Sequence, residues 1–253
     1  VIIPTSFEFV DIAGLVQGAA QGEGLGNKFL SHIREVDAII QVIRCFEDED
    51  IHHVAGSIDP IRDIETIMTE LVLADMESVQ KSLDRRAKDA KKGDKTAKAE
   101  HAVLSKVLPH LNDGKPALTL ELNPEEAAIL KPFFLLTAKP TIFAANVKES
   151  ELVDAANNPH VAKVKDYAQE HHACETVIIS AQIESDLVDL APDEASDFLS
   201  EMGVSESGVG SMIRSTYHLL GLRTYFTAGE VEVRAWTIHE GDRAPQAVGV
   251  IHT

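Results

Sequence analysis

The sequence predicts an α/β fold: a mostly parallel sheet with crossover helices, an inserted antiparallel helical arm, and a small β-rich segment at the C-terminal end. Three observations carry this. Four short apolar runs, 7–11, 38–45, 140–146 and 176–181, show little alternation, as strands covered on both faces do. Helical stretches lie between them, at 25–35 after the first and 158–171 after the third. The region 60–139 instead carries two long stripes at helical spacing.

The first stripe is Ile61, Ile64, Ile67, Leu71 and Ala74, continued with a phase drift by Val79 and Leu83. The second is Val103, Leu104, Val107, Leu108 and Leu111. Between them Lys92-Gly93-Asp94 reads as a turn, so the pair reads as a long antiparallel hairpin. Asn123 is placed to cap a further helix, with Pro124 at its first position. Beyond Gly203 a connecting helix is expected at 211–220. Two strands, 224–227 and 231–238, are expected around Ala228-Gly229-Glu230. The resulting boundaries are 1–60 with 138–202 for the α/β part, 61–137 for the arm, 203–223 for a linker helix and 224–253 for the β-rich part.

The 253 residues are 44% hydrophobic and 25% charged, an ordinary globular profile. There are 23 Lys and Arg against 41 Asp and Glu, a net charge of −18. That field repels phosphate polymers and anionic lipid, which excludes coating of nucleic acid by the whole surface. One stretch runs the other way. Arg85, Arg86, Lys88, Lys91, Lys92, Lys95 and Lys98 face only Asp89 and Asp94, a local charge of +5. A solvated helix end is one reading of this tip, and a surface that touches phosphate, RNA above all, is the other. Two cysteines, Cys45 and Cys174, make no disulfide framework, which fits a cytoplasmic protein. No run approaches the roughly 18 apolar residues of a membrane span.

Three signals fall at the carboxyl ends of expected strands, where open α/β sheets bind ligands. The first is Asp11-Ile12-Ala13-Gly14. An Asp there holds magnesium, and the Gly offers its N–H to a terminal phosphate. The second is Asn146-Val147-Lys148-Glu149, where GTPases carry Asn-Lys-x-Asp. The usual Asp accepts the donor pair of guanine, which adenine lacks. Val147 and Glu149 spoil that clamp and favour adenine in a less polar slot. The third is Ser180-Ala181, whose backbone N–H groups are placed to meet the base. The glycine run Gly18, Gly22, Gly24 and Gly26 is neither a dinucleotide fingerprint nor a phosphate loop. It reads as a mobile loop after Gly14, or as a plain connection.

These residues resemble a family. Residues 10–19 and 22–27, with Arg44-Cys45-Phe46-Glu47, Asp59-Pro60, residues 146–149 and 224–229, Ala235-Trp236-Thr237 and Ala244-Pro245-Gln246, are similar to the YchF/Obg-like ATPases. These are translation-factor-related P-loop proteins. The resemblance spans essentially the whole chain. It implies a G-domain-like P-loop NTPase domain that prefers ATP with Mg2+, a helical arm, a partial β-grasp TGS domain, and association with ribosomes. No Gly-x-x-x-x-Gly-Lys-Ser/Thr occurs in the 253 residues. The phosphate loop is therefore expected upstream of Val1, and this polypeptide alone is expected to bind ATP weakly.

Leu15 stands where many GTPases carry the Gln that orients the attacking water. His53, after the acidic loop at 47–50, is the candidate to take that role, and the resemblance points to the same place. A surface loop histidine is the plainer alternative. His171, His172 and Cys174 lack the spacing of a metal site. Three readings are left: an ATPase whose nucleotide state moves the arm, a ribosome- or RNA-binding module with nucleotide as a structural ligand, and a GTPase.

Overall fold

The computed structural model describes residues 1–12, 25–48, 57–171 and 175–251. At its centre three parallel strands lie in the order β2 (Ile39–Arg44), β3 (Thr141–Asn146), β4 (Thr176–Ile179). The register sets Ile39 beside Thr141, Arg44 beside Asn146, and Asn146 beside Ile179. The three carboxyl ends are thus level.

Alternation of side chains sorts β3 onto two faces. Phe143 and Ala145, followed by Val147, pack with Ile43, Cys45, Ile64, Ala155, Val161, Val164 and Ala168. Ile142 and Ala144 pack with Val177 and Ile179 and with Met212 and Leu219. All five residues Thr141 to Ala145 are buried, which is why this run reads as continuously apolar.

The covering helices follow from local signals. Helix α1 (Leu25–Glu35) precedes β2. Helix α2 (Pro60–Lys91) begins on Asp59, whose carboxylate accepts the Arg62 N–H at 3.3 Å, with Pro60 at the first position. Helix α3 (Lys95–Asn112) begins on Asp94, which accepts the Ala97 N–H at 3.0 Å. Gly93, at φ 97°, makes the turn between them. Val72, Val79, Leu83, Val103, Leu104, Val107 and Leu111 form the seam of this hairpin. Helix α4 (Pro124–Leu130) starts with the expected Asn123 cap, in a full capping box with Glu126. Helix α5 (Pro159–His171) covers the Phe143 face of the sheet.

Beyond β4 come α6 (Ala181–Leu187), α7 (Pro192–Glu201) and α8 (Gly208–Leu219). Helix α8, expected as a linker from residue 211, starts at Gly208 because Ser207 caps it through the Gly210 N–H at 3.0 Å. It is also a covering layer, since Met212 and Leu219 close the second face of the sheet. A second sheet has the order β1 (Ile2–Ile3), β6 (Val233–His239), β5 (Leu222–Ala228), and α9 (Ala244–Gly249) follows it. Its hairpin strands are antiparallel, and β6 starts two residues later than expected because Gly229 N–H closes a turn on Glu232 C=O at 2.9 Å.

One expected strand is absent. Residues 7–11 form no ladder; Ile2–Ile3 pairs instead, parallel to Val233–Arg234 of the second sheet. A strand needs an adjacent row of backbone partners, and none lies against 7–11 among the described residues. Phe7 is held by its ring, edge-on to Phe9 and Tyr217, while Phe9 and Val10 are about half exposed.

Candidate nucleotide-binding site

The level strand ends of β2, β3 and β4 bring three loops together. Asn146, the last residue of β3, joins two of them: its side-chain oxygen accepts the Ala181 N–H at 2.9 Å. Val147 N–H continues the ladder to Ile179 C=O at 2.9 Å, and Cys45 N–H donates to Asn146 C=O at 2.8 Å. Asn158 adds a brace, its amide donating to Cys45 C=O at 3.0 Å and to Glu151 at 3.1 Å. Asn146 thus links the loops that follow β3 and β4.

The other expected residues are placed differently from one another. Val147 is 2% exposed and points into the core beneath the sheet, so its side chain is not a wall of an open slot. Glu149 is exposed and opens a short 3-10 turn, Glu149–Glu151. The Ala181 N–H, expected to meet a base, is occupied by Asn146. Ser180 is buried at 1%, and its Oγ has no hydrogen-bond partner. A buried hydroxyl without a partner costs about 1–3 kcal/mol, so this atom is poised for one. Asp11 is exposed. Gly14, His53 and the run Gly18, Gly22 and Gly24 lie outside the described residues.

Sequence reasoning missed a set of polar links around the mouth. Arg44 donates from Nε to Phe46 C=O at 3.0 Å and from its terminal nitrogen to Asp48 C=O at 3.2 Å, with its guanidinium 4.8 Å from the Phe46 ring centre. Lys148 pairs with the Asp48 carboxylate at 3.2 Å. The segment 45–48 is thereby tied to the loop that follows β3. The signal was the pair of side chains at equivalent strand ends, Arg44 and Asn146, which only the register reveals. Burial, with Glu151 nearby, pushes the Cys45 thiol up to about 12, so Cys45 is a core residue and not a nucleophile.

The residues present fit a nucleotide with magnesium only in part. Asp11 is an exposed carboxylate, and Mg2+ in nucleotide sites takes one or two carboxylates together with substrate phosphates. No cluster of three metal-ligating side chains exists among the described residues. At the arm tip, Arg85, Lys88, Lys91, Lys92, Lys95 and Lys98 are exposed. Arg86 is turned inward to Glu100 at 2.6 Å, and Lys92 lies 3.4 Å from Asp89. No helix among the described residues is long and apolar enough to cross a membrane.

A parallel sheet covered on both faces, with its loops braced at the carboxyl ends and a long helical insertion, is the build of a P-loop nucleotide-binding domain of the GTPase type. A family model described as 50S ribosome-binding GTPase matches residues 2–81. The YchF GTPase C-terminal model, described as a protein of unknown function, matches residues 222–253. The Bacillus subtilis ribosome-binding ATPase YchF is 51% identical over 251 residues, covering 99% of this chain and 68% of that protein. The YchF of Haemophilus influenzae is 50% identical over 252 residues, again 68% of its length. A solved structure, the Schizosaccharomyces pombe YchF GTPase, superposes with a TM-score of 0.79 at 38% identity, covering 95% of this chain and 65% of that one. The chain belongs to the YchF family of P-loop proteins.

Proposed function

We propose that the intact protein hydrolyses ATP to ADP and phosphate in association with the ribosome, its nucleotide state coupled to movement of the arm and loops. The observation that carries this is the Asn146 side chain bound to Ala181 N–H at 2.9 Å, which joins the two base-side loops. The names of the bacterial relatives, ribosome-binding ATPases, support the same reading. Asp11 would hold Mg2+, whose charge offsets that developing on the phosphates. Gly14 would donate its N–H to the terminal phosphate. Asn146, Val147 through its backbone, Glu149, Ser180 and Ala181 would form the base end. Glu149 in place of an Asp one carbon shorter supports adenine over guanine. His53 would orient the attacking water, since Leu15 has no polar atom to do so. The cations of the arm tip would contact ribosomal RNA, and the protein would work in the cytoplasm. The domain limits given above, with the arm at 61–137, are part of this reading.

The test is nucleotide competition and steady-state turnover on the intact protein, with and without ribosomes. ATP binding tighter than GTP, with turnover above background, is expected. Tighter GTP binding would overturn the base assignment, and unchanged turnover in His53→Ala would remove that residue from the chemistry. The 253-residue chain, which contains no Gly-x-x-x-x-Gly-Lys-Ser/Thr, is expected to bind ATP weakly. Micromolar affinity would contradict that. The exposed arm cations favour a second reading, a non-catalytic ribosome-binding module with nucleotide as a structural ligand. It predicts ribosome binding without turnover.

A further inference from the structure

At the root of the arm lies a buried polar joint. Asp75 on α2 is 1% exposed. Its two oxygens accept the Leu136 N–H at 2.9 Å, the Thr137 N–H at 2.8 Å and the Thr137 hydroxyl at 2.7 Å. Thr137, itself 4% exposed, accepts the Ala117 N–H on the same oxygen at 3.0 Å. One carboxylate therefore ties α2 to the chain returning from the arm into β3, and Thr137 adds the short turn, Ala117–Thr119, that follows α3.

The joint touches α1 on its other side. Leu136 is fully buried, in one cluster with Leu30 and Ile33 of α1 and Leu71 and Ala74 of α2, and Ile12 packs against that cluster. Three residues on, Lys139 donates to the Arg34 C=O at 3.1 Å and to the Val36 C=O, closing the C-terminal end of α1. Residues 136–139 thus hold α1 by one hand and α2 by the other. Helix α1 is the first described element after Asp11 and Gly14 in the chain. Close-packed interiors transmit displacement rather than absorb it.

We propose that the Asp75–Thr137 joint, with Lys139, is the coupling element that makes the arm follow α1 when the nucleotide state changes. This rests on the nucleotide-switch reading above. Thr137, Asp75 and Lys139 act as positioning residues and touch no reacting atom.

The test uses the intact protein with spin labels at Asp84→Cys on the arm and Asp154→Cys on the sheet domain. Distances are measured with ADP and with a non-hydrolysable ATP analogue, alongside basal turnover. The parent and Thr137→Ser, which keeps the hydroxyl, are expected to show a nucleotide-dependent distance shift. Thr137→Val is expected to lose at least half of it with basal turnover within about twofold. Lys139→Met, which frees α1 and leaves the Asp75 hydrogen bonds in place, is expected to do the same and covers the case of a Val variant that does not fold. A full shift in both variants would overturn the proposal, as would turnover in the parent with no shift at all. A parent that neither binds nor hydrolyses ATP would instead sink the nucleotide reading.

Discussion

Replacing Asp75 with Ala strips three donors of their acceptor at once. Leu136 N–H, Thr137 N–H and the Thr137 hydroxyl all end within 2.7–2.9 Å of the Asp75 oxygens, in a site closed to water. Each buried donor left unpaired costs about 1–3 kcal/mol. Against this, the mutation removes a buried carboxylate: burial raises the Asp75 pKa, and the bonds from Thr137 and Leu136 and the Arg34 charge only oppose that. The net loss should be about 3–5 kcal/mol, a large part of the 5–15 kcal/mol of an ordinary domain. Urea unfolding of the intact protein, followed by circular dichroism, measures it. The pH dependence is a second reading of the same group. A carboxyl raised on folding contributes stability that is complete below its unfolded value of 3.8 and lost as pH rises through the folded value. Asp75→Asn stays neutral, so its deficit against the parent should narrow as pH rises above 3.8. A loss below about 1 kcal/mol for the Ala variant, or an Asn deficit that widens with pH, would refute the reasoning.

Other perturbations test other parts. At Gly208 an added Cβ would sit 2.7 Å from Ile179 Cγ2, so Gly208→Ala should push α8 off β4 and cost about 1–3 kcal/mol by thermal unfolding. Asn146→Ala frees the Ala181 N–H and unties the base-side loops; equilibrium titration should show ATP affinity at least tenfold weaker on the intact protein, by about 1.4 kcal/mol or more. Cys45 should resist thiol reagents until the protein unfolds, since its thiol is buried and held near 12; rapid labelling of native Cys45 would contradict the packing. At the tip, Lys91→Ala, Lys95→Ala and Lys98→Ala together should weaken binding to ribosomal RNA and shrink the log–log salt slope by about 2–3. An unchanged slope would place the RNA contact elsewhere.

The strands β2, β3 and β4 were legible because strands buried on both faces leave unbroken apolar runs. The arm was legible because its seam repeats at helical spacing and Gly93 marks the turn. The first expected strand failed for a physical reason. Phe7, Phe9 and Val10 have strand character, but a ladder is a property of two segments, and the partner is not written in either. Within the site, the position of Asn146 at the end of an apolar run marks it as a loop brace, while an apolar side chain at 147 gives no hint of which way it points. Only the pleat shows that the residue after Asn146 turns back into the core. Asp75 gave no signal, because its partners lie 61 and 62 residues further on and a carboxylate beside an apolar stripe has no local signature.

The length of α2 gives its anchorage a mechanical meaning. Helix α2 runs on 16 residues beyond Asp75, to Lys91, or about 24 Å at 1.5 Å per residue. A tilt of about 10° at that pivot would sweep the lysine-bearing end through about 4 Å, more than the length of a hydrogen bond. A stiff hairpin pivoting there would work as a lever: an adjustment at the pivot too small to disturb core packing would become a displacement of several ångströms at the far end.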